Sequence, residues 1–106
     1  MSLQKPSTLR KPLVIRRIVG HSMLPILPPG TLVLGSGLLP RARRHAVVIV
    51  SHEGKEKIKR ITDIRDNMIY IIGDHEDDST DSRHFGWLPK TSVVATIIWP
   101  RTKKKT

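Results

Sequence analysis

The sequence contains no cysteine, few acids and few aromatics (two Trp, one Tyr, one Phe). Without cysteine there is no thiol nucleophile, no thiolate metal site and no disulfide, and the redox compartment is left undetermined. No apolar run approaches the roughly 20 residues that a membrane-spanning helix needs. The basic residues near the start are followed by no apolar stretch of the kind a secretory leader carries. The chain is therefore expected to be cytoplasmic or peripheral to a membrane. Trp87, Trp99, Tyr70 and Phe85 are too few and too dispersed to form a base-stacking platform. A specific nucleic acid partner is not expected, although 19 Lys and Arg stand against 9 Asp and Glu and the net charge is +10.

What is present points to strands. The hydrophobic fraction, 38%, is mainly Val, Ile and Leu, and β-branched side chains suit a pleated surface. Short apolar or alternating stretches at residues 13–19, 31–34, 46–51, 57–64, 68–72 and 93–99 read as strands. Glycine, proline and polar clusters separate them. No helix of ordinary length is expected, so the fold class is all-β, a compact domain of coiled antiparallel sheets. One domain over residues 13–100 fits the length, with a flexible basic arm at 1–12 and a basic tail at 101–106. Basic tails attract anionic surfaces, so weak peripheral contact with an anionic membrane is an expected interaction.

Two loops stand out. The first, residues 20–25, places Ser22 directly after a strand and before proline-rich chain. A hydroxyl on such a turn is accessible, and nearby backbone N–H groups can converge on an oxyanion. By itself this is also the pattern of an ordinary turn. The second, residues 73–86, holds five of the nine acids: Asp74, Glu76, Asp77, Asp78 and Asp81. That much like charge calls for a partner, with Arg83 the nearest. An EF-hand is excluded, because Ser79 occupies the sixth position where glycine is required. No metal and no other cofactor is expected.

The two loops and a lysine between them form a recognisable set. Ser22-Met23-Leu24-Pro25 resembles the nucleophile motif of type I signal peptidases. Lys59-Arg60-Ile61 resembles that family's general-base motif. Gly73-Asp74, Ser79, Asp81-Ser82-Arg83 and Gly86 resemble its acidic C-terminal motif. The order is the family's, and the matches span residues 18–89. By periodicity alone Lys55, Lys57 and Lys59 are equal candidates, and the resemblance selects Lys59.

That resemblance implies a LexA/signal peptidase-like catalytic domain and a serine endopeptidase with Ser22 as nucleophile and Lys59 as base. Ser79 would hydrogen-bond the Lys59 amine, and Asp81 and Arg83 would form an ion pair that holds the loop. The Ser22 N–H would serve the oxyanion, and Met23 would line the substrate groove. The substrate would be a protein or peptide precursor losing a leader or propeptide, bound as an added strand with small residues before the cut. The chain is most similar to short members without an anchor, such as the nickel-type superoxide dismutase maturation proteases. It departs from the pattern at Gly20, where some members carry a hydroxyl residue, at His75, where asparagine is usual, and at Arg44-His45, where Gly-Asp is common.

The chemistry has a plain physical requirement. A lysine of ordinary pKa, about 10.4, is charged near neutrality and cannot accept a proton from serine. A dry, apolar pocket lowers that pKa into the working range. Ile58, Ile61 and residues 47–50 are the expected walls. Three other readings are open: a Ser-His-Asp arrangement using His75 or His84, LexA-like self-cleavage, and a non-enzymatic basic β-domain binding nucleic acid. The bond usually cut in self-cleavage, Ala-Gly or Cys-Gly, does not occur in this sequence.

Overall fold

A computed structural model describes residues 11–39 and 42–103, the side chain of Asp78 apart. Most of the expected arm and tail, residues 1–10 and 104–106, lies outside the described residues. The chain forms seven strands: β1 (Val14–Arg17), β2 (Leu32–Ser36), β3 (Val47–His52), β4 (Lys55–Arg65), β5 (Met68–Ile72), β6 (Leu88–Pro89) and β7 (Val93–Trp99). They make one antiparallel sheet in the order β1-β2-β7-β3-β4-β5-β6. The all-β architecture is the one expected from the sequence.

β3 lies at the centre of that order, and its burial explains its composition. Val47 and Ile49 enter one apolar cluster, with Val14, Ile18, Met23, Leu27 and Val33. Val48 and Val50 enter a second, with Ile61, Ile69, Ile71 and Leu88. Successive strand residues point to opposite faces. A strand covered on both sides must therefore be apolar throughout, as residues 47–50 are. Each such side chain contributes roughly 1.5–3 kcal/mol on burial.

β3 and β4 are joined by a two-residue turn at Glu53 and Gly54, with φ of 51° and 76°. Both values lie in the left-handed region, the geometry of a type I′ hairpin turn. β4 is longer than the alternation at residues 57–64 suggests, because pairing with β3 continues to His52↔Lys55. β1 is shorter than expected. The stretch at residues 73–86 is not a plain loop. It contains a 3-10 turn (Glu76–Asp78) and a four-residue helix, α1 (Ser82–Phe85), and it leads into β6. Asp81 caps α1 by accepting the Arg83 N–H, while the Asp81 N–H donates to His84 Nδ1. That local polar pairing leaves no hydrophobic period for a sequence reading to detect.

Candidate active site

Ser22 lies in the connection between β1 and β2, and its neighbours hold it there. The base of the connection is closed by Ile18 N–H donating to Thr31 O and Gly30 N–H donating to Ile18 O, each at 2.8 Å. Gly20 turns the chain with φ of 82°, a conformation that suits glycine. Met23 and Leu27, 1% and 0% exposed, plug the loop into the first apolar cluster. Leu27 N–H donates to Met23 O at 2.9 Å. Met23 borders the groove beside Ser22, yet its side chain belongs to the core. Among the described residues the Ser22 N–H has no internal hydrogen-bond partner.

Lys59 reaches Ser22 from β4. Its Nζ donates to Ser22 Oγ at 2.8 Å, and the residue is only 6% exposed. Lys59 pairs with Val48 across the β3–β4 ladder and Ile58 pairs with Ile49. Strand alternation thus gives the Lys59 side chain Val48 and Ile61 as neighbours on its own face, while Ile58 turns to the opposite one. Of the walls expected for this lysine, Ile61 and Val48 fit, and Ile58, Val47 and Ile49 serve the other cluster instead. Burial lowers the Lys59 pKa from its ordinary 10.5. The charges of Lys57 and Arg83 act in the same direction, and Asp81 opposes them. A neutral amine at this distance accepts the serine proton along the same line.

Residues 73–86 fold over this pair. His75 N–H donates to Ser22 O at 2.7 Å, and Asp74 N–H to Met23 Sδ at 3.5 Å. The two segments meet at Gly73, where a Cβ atom would lie 2.6 Å from Ser22 O and 2.7 Å from Ser79 Cβ. Only glycine fits that approach. Asp81, 0% exposed, is the hub of the segment. It accepts from Arg83 Nε at 2.9 Å and Arg83 Nη2 at 3.0 Å, from Gly73 N–H at 2.9 Å and from the Ser79 hydroxyl. Burial pushes its carboxyl up, but the hydrogen bonds from Arg83, Ser79 and Gly73 outweigh it and hold the pKa at about 2.

Here one expectation is corrected. Ser79 donates to Asp81, and among the described residues no hydrogen bond joins Ser79 to the Lys59 amine. The carboxylate attracts the hydroxyl proton more strongly than an amine that is itself a donor when charged. Asp81 instead acts on Lys59 through its charge. His84 Nδ1 is engaged by the Asp81 N–H in capping α1, and the side-chain hydrogen bond to Ser22 Oγ comes from Lys59.

The sequence reading missed a second ion pair behind the site. Arg60 grips Asp74 with Nε and Nη2, both at 2.8 Å, and both side chains are buried. Arg60 Nη1 also donates to His45 O at 2.7 Å. The pair links β4 to the segment that contacts Ser22. Its signal was present, since both residues fall inside quoted motifs, but nothing in the spacing joins Arg60 to Asp74. Among the described residues no group of His, Asp or Glu is arranged to hold a metal ion.

A groove of about 380 Å³ opens onto Ser22 and Lys59, lined on one side by residues 16–19 and on the other by residues 56–59. Both walls are open strand edges among the described residues. β1 pairs only with β2, and β4 meets β5 only from Arg60 onward. Two hydrogen bonds bridge the walls, from Arg16 Nε and Nη2 to the Glu56 carboxylate at 2.6 and 2.9 Å.

The model of the family described as signal peptidase, peptidase S26, matches residues 50–101. That stretch includes Lys59 and the whole of residues 73–86, while Ser22 precedes it and is brought alongside by the fold. No curated protein matches the chain. The family match supports a type I signal peptidase-like serine peptidase.

Proposed function

We propose that the protein is an endopeptidase that removes a leader or propeptide from a precursor, with Ser22 as nucleophile and Lys59 as general base. The observation that carries this reading is the 2.8 Å contact between the Ser22 hydroxyl and a lysine amine that is almost wholly buried. In the first half-reaction Ser22 Oγ attacks the scissile carbonyl carbon while its proton passes to the neutral Lys59 amine. The carbonyl oxygen becomes an oxyanion facing the Ser22 N–H. Collapse of the tetrahedral adduct breaks the C–N bond, and the Lys59 ammonium gives its proton to the departing amine. The amine product leaves and an ester to Ser22 stays behind. Water then attacks that ester with Lys59 again taking the proton, which returns to Ser22 Oγ as the acid product is released.

An extended peptide suits the groove, because each wall offers unpaired backbone groups to an added strand. Asp81 supports the pair from behind: its charge limits how far the Lys59 pKa falls, and its bonds to Gly73 and Arg83 hold the covering segment.

The test is cleavage of precursor-derived peptides by the wild type, Ser22→Ala and Lys59→Ala. Each variant is expected to lose at least about a thousandfold in kcat/KM with an unchanged circular dichroism spectrum. Near-normal turnover by either folded variant overturns the assignment.

A further inference from the structure

We infer that the end of the groove bounded by Arg16 and Lys57 is a subsite for an acidic side chain, so that the preferred peptide carries Asp or Glu two or three residues from the bond it loses. This rests on the peptidase reading and adds a substrate class to it. Arg16 and Glu56 stand on facing strand edges, and their ion pair crosses the groove with both side chains 40% exposed. An ion pair that open to water is weak, so a peptide passing between the strands exchanges it at little cost. Arg16 already shows the fork-to-carboxylate geometry that a peptide carboxylate would adopt, with two N–H donors on the two Glu56 oxygens. Glu56 is in effect the molecule's own stand-in for that group.

Lys57 adds a second cation at this end of the groove, on the face of β4 opposite Glu56 by strand alternation, so it serves the neighbouring peptide position. It borders the groove, its Nζ lies 6.0 Å from the centre of the Phe85 ring, and no carboxylate neutralises it among the described residues. The strand rise sets the position of the subsite. Glu56 and Lys57 precede Lys59 by three and two residues, roughly 7–10 Å at about 3.3 Å per residue. An extended peptide beside β4 has nearly the same rise. Its carboxylate therefore falls two or three residues from the scissile bond, on the side toward the β3–β4 turn.

The experiment uses matched fluorogenic peptides bearing Glu, Gln or Lys two and three residues from the cleaved bond, on each side of it. For the wild type, Glu is expected to exceed Gln by about fivefold in kcat/KM on one side only. The gain should appear in KM and shrink in high salt. Arg16→Gln and Lys57→Gln should each reduce the Glu-to-Gln ratio, a quantity in which any effect of the Lys57 charge on the Lys59 amine cancels. Glu56→Gln, which frees Arg16, should raise the ratio. A merely structural ion pair would instead change all peptides alike. Equal cleavage of Glu and Gln peptides overturns the subsite and leaves the peptidase reading intact. If nothing is cleaved, the affinity of the same peptides for Ser22→Ala decides. Tighter binding of the Glu peptide keeps the subsite and removes the peptidase reading, and equal or absent binding removes the subsite too.

Discussion

Lys59 shows how one residue can be costly to the fold and useful to the site. An ammonium that is 6% exposed has lost most of its hydration, so the folded state favours the neutral amine and the pKa falls. The unfolded chain then binds more protons than the folded one between the lowered pKa and 10.5. Stability therefore rises with pH across that window, and below it the penalty is constant. Asp81 stabilises the fold instead, and its slope with pH has the same direction. Its carboxyl is held at about 2, so its contribution is complete above the ordinary carboxylate range and is lost as the pH falls toward 2. Replacing Lys59 by the isosteric, uncharged Met removes the amine's penalty. Lys59→Met is expected to be inactive yet more stable than wild type by on the order of 1 kcal/mol at neutral pH. The gap should narrow as the pH rises toward 10.5, which denaturant titration across pH would measure.

At the scale of elements, the site depends on two segments far apart in the chain meeting at a glycine. The β1–β2 connection is fixed by the burial of Met23 and Leu27, and the segment at residues 73–86 is fixed by Asp81 and by the Arg60–Asp74 pair. They touch where Gly73 faces Ser22 O and Ser79. A methyl group at Gly73 must push one segment off the other, and a shift near 1 Å at reacting groups costs up to about a hundredfold in rate. Gly73→Ala is therefore expected to lose more than about tenfold in kcat, with a stability loss of only about 1–3 kcal/mol. Steady-state kinetics alongside thermal unfolding would separate the two effects. Unchanged kcat in a folded variant would contradict this role for Gly73.

Across the whole molecule, what could be read in advance followed from periodicity. The apolar run at 47–50 and the alternation through β4 and β5 announced strands because strand burial leaves a pattern of period one or two. Resemblance singled out Ser22 and Lys59, since the spacing left three lysines equivalent. The register that turns Lys59 toward Val48, and Ile58 away, was not legible. Neither was the direction of the Ser79 hydroxyl, nor the Arg60–Asp74 and Arg16–Glu56 pairs. Each depends on which distant strands lie side by side, and no local pattern encodes that. The family match, residues 50–101, likewise begins after the Ser22 loop that the sheet carries to it. No helix among the described residues is long and apolar enough to cross a membrane.

The central claim is that a buried amine stays uncharged beside a hydroxyl, and the most direct test is to titrate that amine. In protein carrying 13C at lysine Cε, the Lys59 signal is assigned by its absence from Lys59→Met and followed by NMR from pH 5 to about 11. The Lys59 midpoint is expected clearly below 10.5. A Lys59 midpoint at or above 10.5 would contradict this, because an amine charged throughout the neutral range cannot take the proton from Ser22.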